Sequence, residues 1–280
     1  MRITPITGVI GAEISGLDLT RALAPDDVAA LSAAVVEHKV VVVRDQEYAT
    51  EHLERLTEQL GGHGHTPFLE SMPGHPGVVR VVREADEGGI NFGGRWHSDW
   101  SFQPEPPAFT LLWSLDVPAV GGDTMWSDQE RAFATLSPGL RDTLRGLRLV
   151  HSAGWAYSAD GILARTAAGR TMTIHTGDDA LAEQVHPAVT VHPVSGREAL
   201  FANPTYTVRI EGWSAAESAP LLEHLYAHST REPFTCRVRW TPNCLAIWDN
   251  RSTQHLAIDD YRGTRRELHR TTTAGTAPSR

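Results

Sequence analysis

The sequence predicts one β-rich α+β domain, residues 1–280, decorated by helices. Short runs of β-branched and aromatic residues recur along it: Val40-Val41-Val42-Val43, Thr110 to Asp116, and the alternating Phe234, Cys236, Val238 and Trp240. Such runs fit a pleated surface buried on one or both faces. Helix-start signals are interleaved with them. A chain of 280 residues would serve one large domain or two small ones, and no repeat, low-complexity linker or boundary favours two.

In chain order, Ile3 to Leu19 is apolar with interspersed glycines and reads as short strands joined by turns. Pro25-Asp26-Asp27 opens an amphipathic helix carrying Val28, Leu31 and Val35, which feeds the strand Lys39 to Val43. A second helix runs from about Thr50, with Leu53, Leu56 and Leu60 on one face, and ends at Gly61-Gly62. Glu84 to Gly94 is a polar, Gly-rich loop leading into Trp96 to Phe102, WHSDWSF, whose aromatic residues favour an extended strand. After the Thr110 to Asp116 strand, Gly121-Gly122-Asp123 is a turn, Ser127-x-x-Glu130 a capping box, and Ser137-Pro138 an N-cap with proline behind it. Tyr157 to Asp179 has no clear periodicity and reads as a variable insertion. A capping box at Ser214-x-x-Glu217 starts a helix with Leu221, Leu222, Leu225 and Tyr226. Strands near Phe234 to Trp240, Leu245 to Trp248 and Glu267 to Thr273 close the chain.

The formal net charge of -9 argues against nonspecific nucleic-acid binding. No signal pattern and no run of 18 apolar residues occurs, so no membrane role and a cytoplasmic location are the default expectation. Cys236 and Cys244 sit in apolar alternating contexts at a spacing that suits neither zinc nor a redox pair, and read as reduced core residues. Trp113, Trp126 and Trp240 read as core.

The chemistry starts at His97-Ser98-Asp99. On a strand, His97 and Asp99 share a face, and an imidazole beside a carboxylate is two thirds of the 2-His-1-carboxylate triad that holds non-haem iron. Alone, the triplet also fits a surface ion pair. With 14 histidines in the chain, a histidine count is no argument for metal. His255, closing the word WDNRSTQH at 248–255, is the most distinctive third ligand. Arg266 and Arg270 would share one face of the last strand, and paired guanidinium forks suit a dicarboxylate.

The set His97, Asp99, Thr124 after 24 intervening residues, His255, and Arg266 after ten more resembles the taurine/2,4-D dioxygenase (TauD/TfdA) family. The words GGDTMW at 121–126 and HPVSGREALFAN at 192–203 match as well, so the resemblance spans nearly the whole chain. It implies a double-stranded β-helix (jelly-roll, cupin-like) core and an enzyme using Fe(II), 2-oxoglutarate and O2. His97, Asp99 and His255 would be the metal ligands and catalytic centre, with Thr124 and Arg266 on the distal carboxylate of 2-oxoglutarate. Arg270 would meet an acidic group of a small-molecule substrate, and His65, Phe68 and Asn91 would border its pocket. Trp100, Tyr157 and Tyr206 are further possible walls, with packing as the plainer reading. The family's habit implies a homodimer or homotetramer.

Oxidative decarboxylation of 2-oxoglutarate to succinate and CO2 would drive removal of a substrate hydrogen, and an intact Asp99 favours hydroxylation over halogenation. Desaturation, or hydroxylation that triggers C–S, C–O or C–N cleavage, stays open. A silent metal-binding jelly roll or a zinc hydrolase would leave Thr124 and Arg266 unexplained. Phe68 and Gly93 stand where the taurine enzymes carry polar contacts, which points to a larger or more apolar anion than taurine.

Overall fold

A computed structural model describes residues 1–280. Its first strands are β1 (Arg2–Pro5), β2 (Ala12–Ser15), β3 (Val40–Val43), β4 (Ser71–Met72), β5 (His75–Arg83), β6 (Phe109–Asp116), β7 (Thr124–Asp128) and β8 (Arg148–Ser152). There follow β9 (Glu183–Pro187), β10 (Val189–Val191), β11 (Glu198–Leu200), β12 (Thr207–Ile210), β13 (Thr235–Val238), β14 (Leu245–Asp249), β15 (Thr253–Ala257) and β16 (Arg266–Thr272). Eight of them form one sheet in the order β1-β2-β3-β14-β6-β16-β5-β4, antiparallel except for the β2–β3 pair. Two three-stranded sheets, β13-β7-β15 and β12-β8-β9, and the β10–β11 pair complete the strands.

Alternation of side chains explains how the large sheet is covered. Val41, Val43, Leu111, Trp113, Leu245 and Ile247 point to one face, onto Leu31 and Val35 of helix α1 (Pro25–His38) and Leu53 and Leu56 of α2 (Thr50–Gln59). Val40, Val42, Leu112, Ala246, Trp248 and Leu268 point to the other, onto Trp126, Cys236, Val238 and Trp240 from the β13-β7-β15 side. A strand covered on both faces reads as an unbroken apolar run, which is why Val40–Val43 lacks polar alternation. Leu268 is fully buried between the layers, so Leu268→Ala should cost about 2–5 kcal/mol, read as a lower urea midpoint at unchanged m-value. Cys236 and Cys244 are free and buried, and burial pushes their thiols up to about 12 and about 11. Both belong to the core, as expected.

The helix signals at Ser137-Pro138 and Ser214-x-x-Glu217 do what their chemistry suggests. Ser137 caps Pro138–Arg145, and Ser214 and Glu217 form a reciprocal box at the head of Ala215–Ser229. Two expectations are corrected. The Ser127 capping box does not form: Asp128 is the N-cap of Gln129–Ala134, accepting from Arg131 N, while the Ser127 hydroxyl donates to the Ser229 carbonyl. The WHSDWSF segment is not a strand. His97 makes one isolated bridge, to His255, and the chain then turns, with Trp100 at φ +50°. Side-chain hydrogen bonds replace the missing ladder: Ser98 Oγ donates to Asn250 O at 2.7 Å, and Asp99 N to Asn250 Oδ1 at 3.4 Å. Of the segment's aromatic residues, the turn buries Trp100, 1% exposed, and leaves Trp96 and Phe102 half-buried. Tyr157 to Asp179 holds one short helix, Ile162–Arg165, and packs Tyr157, Leu163 and Met172 into a shared apolar cluster.

Candidate active site

His255 lies on β15, where it pairs with Trp126 of β7, as Ala257 pairs with Thr124. Residues two apart share a face, so His255 and Thr124 both project with Trp126 toward the large sheet. The other edge of β15 is covered by residues 93–97. Ala257 N donates to Gly93 O at 2.9 Å, His97 N to His255 O at 3.1 Å, and His255 N to His97 O at 2.8 Å. Gly93 sits at φ +73°, a conformation that suits glycine and lets the chain run along β15. The reciprocal bonds set the two imidazoles 4.1 Å apart, and the turn beyond His97 brings Asp99 to them. One ligand atom from each of His97, Asp99 and His255 falls within 4.8 Å of the others, and all three residues are buried.

The electrostatics suit metal ligation. His97 Nδ1 donates to Arg95 O at 2.7 Å, which fixes the tautomer and leaves Nε2 as the lone pair, 3.6 Å from Asp99 Oδ1. Burial pushes the His97 imidazole below its ordinary value despite Asp99, so the pair is a neutral ring beside a carboxylate rather than a salt bridge. Burial and then the His97 ring push His255 further down. For Asp99, burial alone would raise the carboxyl, but Arg270, His255 and His97 outweigh it and hold it at about 2. His255 Nδ1 is buried with no hydrogen-bond partner. Two neutral imidazoles and an ionised carboxylate, buried and convergent, fit the donor set of an Fe(II) facial triad.

Behind Asp99 runs a chain of donors. Its Oδ2 accepts from Thr110 Oγ1 at 2.7 Å, Thr110 accepts from Asn250 Nδ2 at 2.8 Å, and Asn250 Oδ1 accepts from Trp248 Nε1 at 3.0 Å. Partners of this kind hold a ligand's orientation and typically affect affinity by 10–100-fold. Thr110→Val keeps the shape and removes the donor, so it should weaken Fe(II) binding by about 10–100-fold in a chelator competition, with the far-ultraviolet spectrum unchanged.

Arg266 and Thr124 meet at Trp240. Trp240 Nε1 donates to Thr124 Oγ1 at 3.0 Å, and the Arg266 guanidinium lies 6.0 Å from the Trp240 ring and 5.7 Å from that of Tyr261. Arg266 Nε donates to Gly122 O at 3.2 Å, while Nη2 is buried without a partner. Burial lowers this guanidinium from its usual value, and a buried arginine still keeps its charge. Its open donors fit a carboxylate.

Beside the ligands opens a cavity of about 410 Å3. Asn91, Trp100, Tyr157 and Tyr206 all line it, together with Arg270, whose Nη1 is 3.4 Å from Asp99 Oδ1. Arg270 is 4% exposed, stacks over Trp100 at 4.8 Å, and leaves Nε and Nη2 buried and unpartnered. His65 and Phe68 do not reach this lining. His65 is exposed on its loop, and Phe68 stacks behind Tyr157 with ring centroids 4.8 Å apart.

The sequence profile described as "Taurine catabolism dioxygenase TauD, TfdA family" matches residues 2–272. The chain belongs to the TauD/TfdA family. It is therefore an Fe(II)- and 2-oxoglutarate-dependent dioxygenase, an oxidoreductase that couples its reaction to release of succinate and CO2. An α-ketoglutarate-dependent sulfate ester dioxygenase of Pseudomonas putida is 35% identical over 99% of this chain and 90% of its own. An alkylsulfatase of Acinetobacter baylyi is 31% identical over 98% of this chain and 85% of its own. The crystal structure of a taurine dioxygenase from Burkholderia xenovorans superposes with a TM-score of 0.82 at 33% identity, covering 99% of this chain and 92% of that one. AAD-2 in complex with Mn(II) and N-oxalylglycine superposes at 0.79 and 26% identity, covering 100% of this chain and 99% of that one.

Several residues of this TauD/TfdA site escaped the sequence reading. Trp240, read as core, is also the donor to Thr124, and Tyr261 flanks Arg266 while donating to Asn91 Oδ1 at 2.9 Å. Trp248 and Asn250 stood in the WDNRSTQH word, which was the available signal for the chain behind Asp99. Thr110 and Arg95 carried none. No helix is long and apolar enough to cross a membrane.

Proposed function

We propose that His97, Asp99 and His255 are the Fe(II) ligands, that Arg266 and Thr124 hold the distal carboxylate of 2-oxoglutarate, and that Arg270 binds the anionic group of an apolar-bodied substrate. The observation that carries the substrate reading is the Arg270 guanidinium. It is buried beside a ligand carboxylate, with two N–H-bearing nitrogens unpartnered, in a cavity where Trp100, Tyr157, Tyr206, Ile162 and Leu163 give the substrate apolar surface. Asp99 meets the guanidinium at Nη1 alone, and buried N–H donors left without acceptors are costly, so Nε and Nη2 are poised for a second anion.

Iron with 2-oxoglutarate and O2 supplies, when bound, the oxidant that takes a hydrogen from the substrate. The protein's part is placement. Arg266 and Thr124 would orient the co-substrate from one side, Arg270 the substrate's anion from the other, and Trp100, Tyr157 and Tyr206 exclude water around the target carbon. Phe68 would then act on the pocket only from behind Tyr157, and His65, exposed on its loop, would have no part in it. The relatives named for sulfate esters and alkyl sulfates favour an organic sulfate ester as substrate. Hydroxylation at the carbon bearing the ester oxygen gives a hemiacetal sulfate, whose C–O bond breaks to release sulfate and an aldehyde.

The proposal extends to the frame. The large sheet and the β13-β7-β15 sheet packed face to face support a jelly-roll core in a single domain, residues 1–280. Family habit supports a homodimer or homotetramer, acting in the cytoplasm on a small molecule, with neither nucleic acid nor membrane as partner. The test is a succinate-release screen over alkyl sulfates, sulfonates and aryloxy acids, with aldehyde and sulfate measured in parallel. Anionic substrates should turn over, and Arg270→Met should raise their KM by about 30-fold or more. Turnover indifferent to the anionic group would refute the role of Arg270.

A further inference from the structure

A second hollow, of about 440 Å3, adjoins the catalytic cavity. The two share Arg95, Trp155 and Thr205, so they are consecutive chambers with a common partition. The outer one is floored by Trp155, Leu181 and Val208, which are 46%, 56% and 43% exposed. Ten large hydrophobic side chains are exposed in the whole molecule, three of them line this one groove, and a fourth, Ile90, lines the catalytic cavity. Scattered apolar residues need no explanation, but a cluster at the mouth of an active site does.

We infer that this outer groove is a binding site for the apolar tail of an amphiphilic substrate whose anionic head lies in the catalytic cavity. This rests on the reading of Arg270 as the anion's partner. Charge selects the tail's chemistry. Glu183, the acid in the groove, is paired with Arg209 at 2.5 Å, so it offers nothing to a cationic tail. Arg95 has no carboxylate partner, and its guanidinium lies 4.4 Å over the Trp155 ring at the partition, where it repels a cationic tail while its stem and the indole present apolar surface. Beyond the partition the walls are Trp155, Leu181, Pro204 and Val208 with small polar groups and the paired Glu183, so the occupant is an uncharged, extended hydrocarbon or aryl chain continuous with the head, rather than a second ligand. Arg95 also links the groove to the metal site, since its carbonyl accepts from His97 Nδ1.

The test uses linear alkyl sulfates from butyl to dodecyl, below their micelle-forming concentrations. Binding is measured by anaerobic calorimetry on enzyme loaded with Fe(II) and 2-oxoglutarate, and succinate release is followed in air. Each methylene that enters the groove should lower Kd by up to about fourfold, the value of burying one CH2. Leu181→Asp and Val208→Asp alter exposed side chains away from the metal and should weaken dodecyl sulfate by about tenfold or more, leaving butyl sulfate within about twofold. A chain-length dependence that stops at short chains, or that persists in both variants, overturns the groove assignment while leaving the Arg270 reading intact. If butyl sulfate neither binds nor releases succinate, the Arg270 reading fails and the groove assignment with it. Sedimentation of the same variants closes the remaining route: a dimer turned monomer by Leu181→Asp would assign the groove to a second copy of the chain and overturn the proposal.

Discussion

Asp99→Asn is expected to abolish succinate formation while destabilising the apo-protein, two effects with separate causes. Asparagine keeps the shape and can still accept from Thr110, but it offers iron no anionic oxygen. The loss of turnover should exceed the roughly 10–100-fold that changes behind metal ligands cost. The stability effect comes from Arg270, whose nearest carboxylate oxygen is Asp99 Oδ1 at 3.4 Å, with both side chains buried. Removing one member of a buried pair typically costs about 3–5 kcal/mol because the other charge is stranded. At roughly 2–4 °C per kcal/mol for a large domain, the melting temperature should fall by about 6 °C or more. Adding Arg270→Met to Asp99→Asn should restore most of that fall and none of the activity, and the double-mutant cycle isolates the coupling. Equal melting temperatures for wild type and Asp99→Asn would show that Arg270 finds its counter-charge elsewhere.

Arg266→Ala should leave iron binding nearly intact and specifically weaken 2-oxoglutarate. Truncating one side of a buried, hydrogen-bonded charge pair costs about 2–5 kcal/mol, or roughly 30- to several-thousand-fold in Kd. The readout is an anaerobic titration of 2-oxoglutarate into Fe(II)-loaded protein, following the visible metal-to-ligand charge-transfer band. Arg266→Lys should not recover wild-type affinity, since the fork rather than the charge alone matches a carboxylate. An unshifted titration in Arg266→Ala would remove this residue from the co-substrate site. Thr124→Val removes a neutral hydroxyl rather than a charge and should weaken 2-oxoglutarate less, while stranding the buried Trp240 indole N–H should cost about 1–3 kcal/mol of stability.

The residues read most clearly from sequence were those whose identity is dictated by chemistry rather than by neighbours. His97, Asp99 and His255 converge, and Arg266 and Arg270 both lie on β16, as the spacing suggested. The local path was read wrongly at WHSDWSF and at Ser127. The proximity of His97 and Asp99 was attributed to a strand face, whereas a turn delivers it, held by Asn250 from a distant part of the chain. Periodicity cannot register a bond to a residue so remote. The same limit explains Ser127, whose hydroxyl prefers the Ser229 carbonyl to its own helix end. Thr110 and Trp240 look like ordinary strand and core residues, and only the fold shows that their polar atoms face Asp99 and Thr124. The pocket was least legible because its walls come from segments with no period, such as residues 155–163 and 90–95.

The reciprocal backbone bonds between His97 and His255 bear on which metal the enzyme receives. They fasten the two imidazoles together through main-chain groups, independently of any ion. A pair of ligands whose spacing is fixed by the backbone cannot tighten around one divalent ion in preference to another of similar size. Its preferences then follow the general affinity order of divalent ions, in which copper, nickel and zinc rank above iron. Iron occupancy becomes a matter of supply, and traces of zinc or copper should act as inhibitors that excess iron displaces slowly.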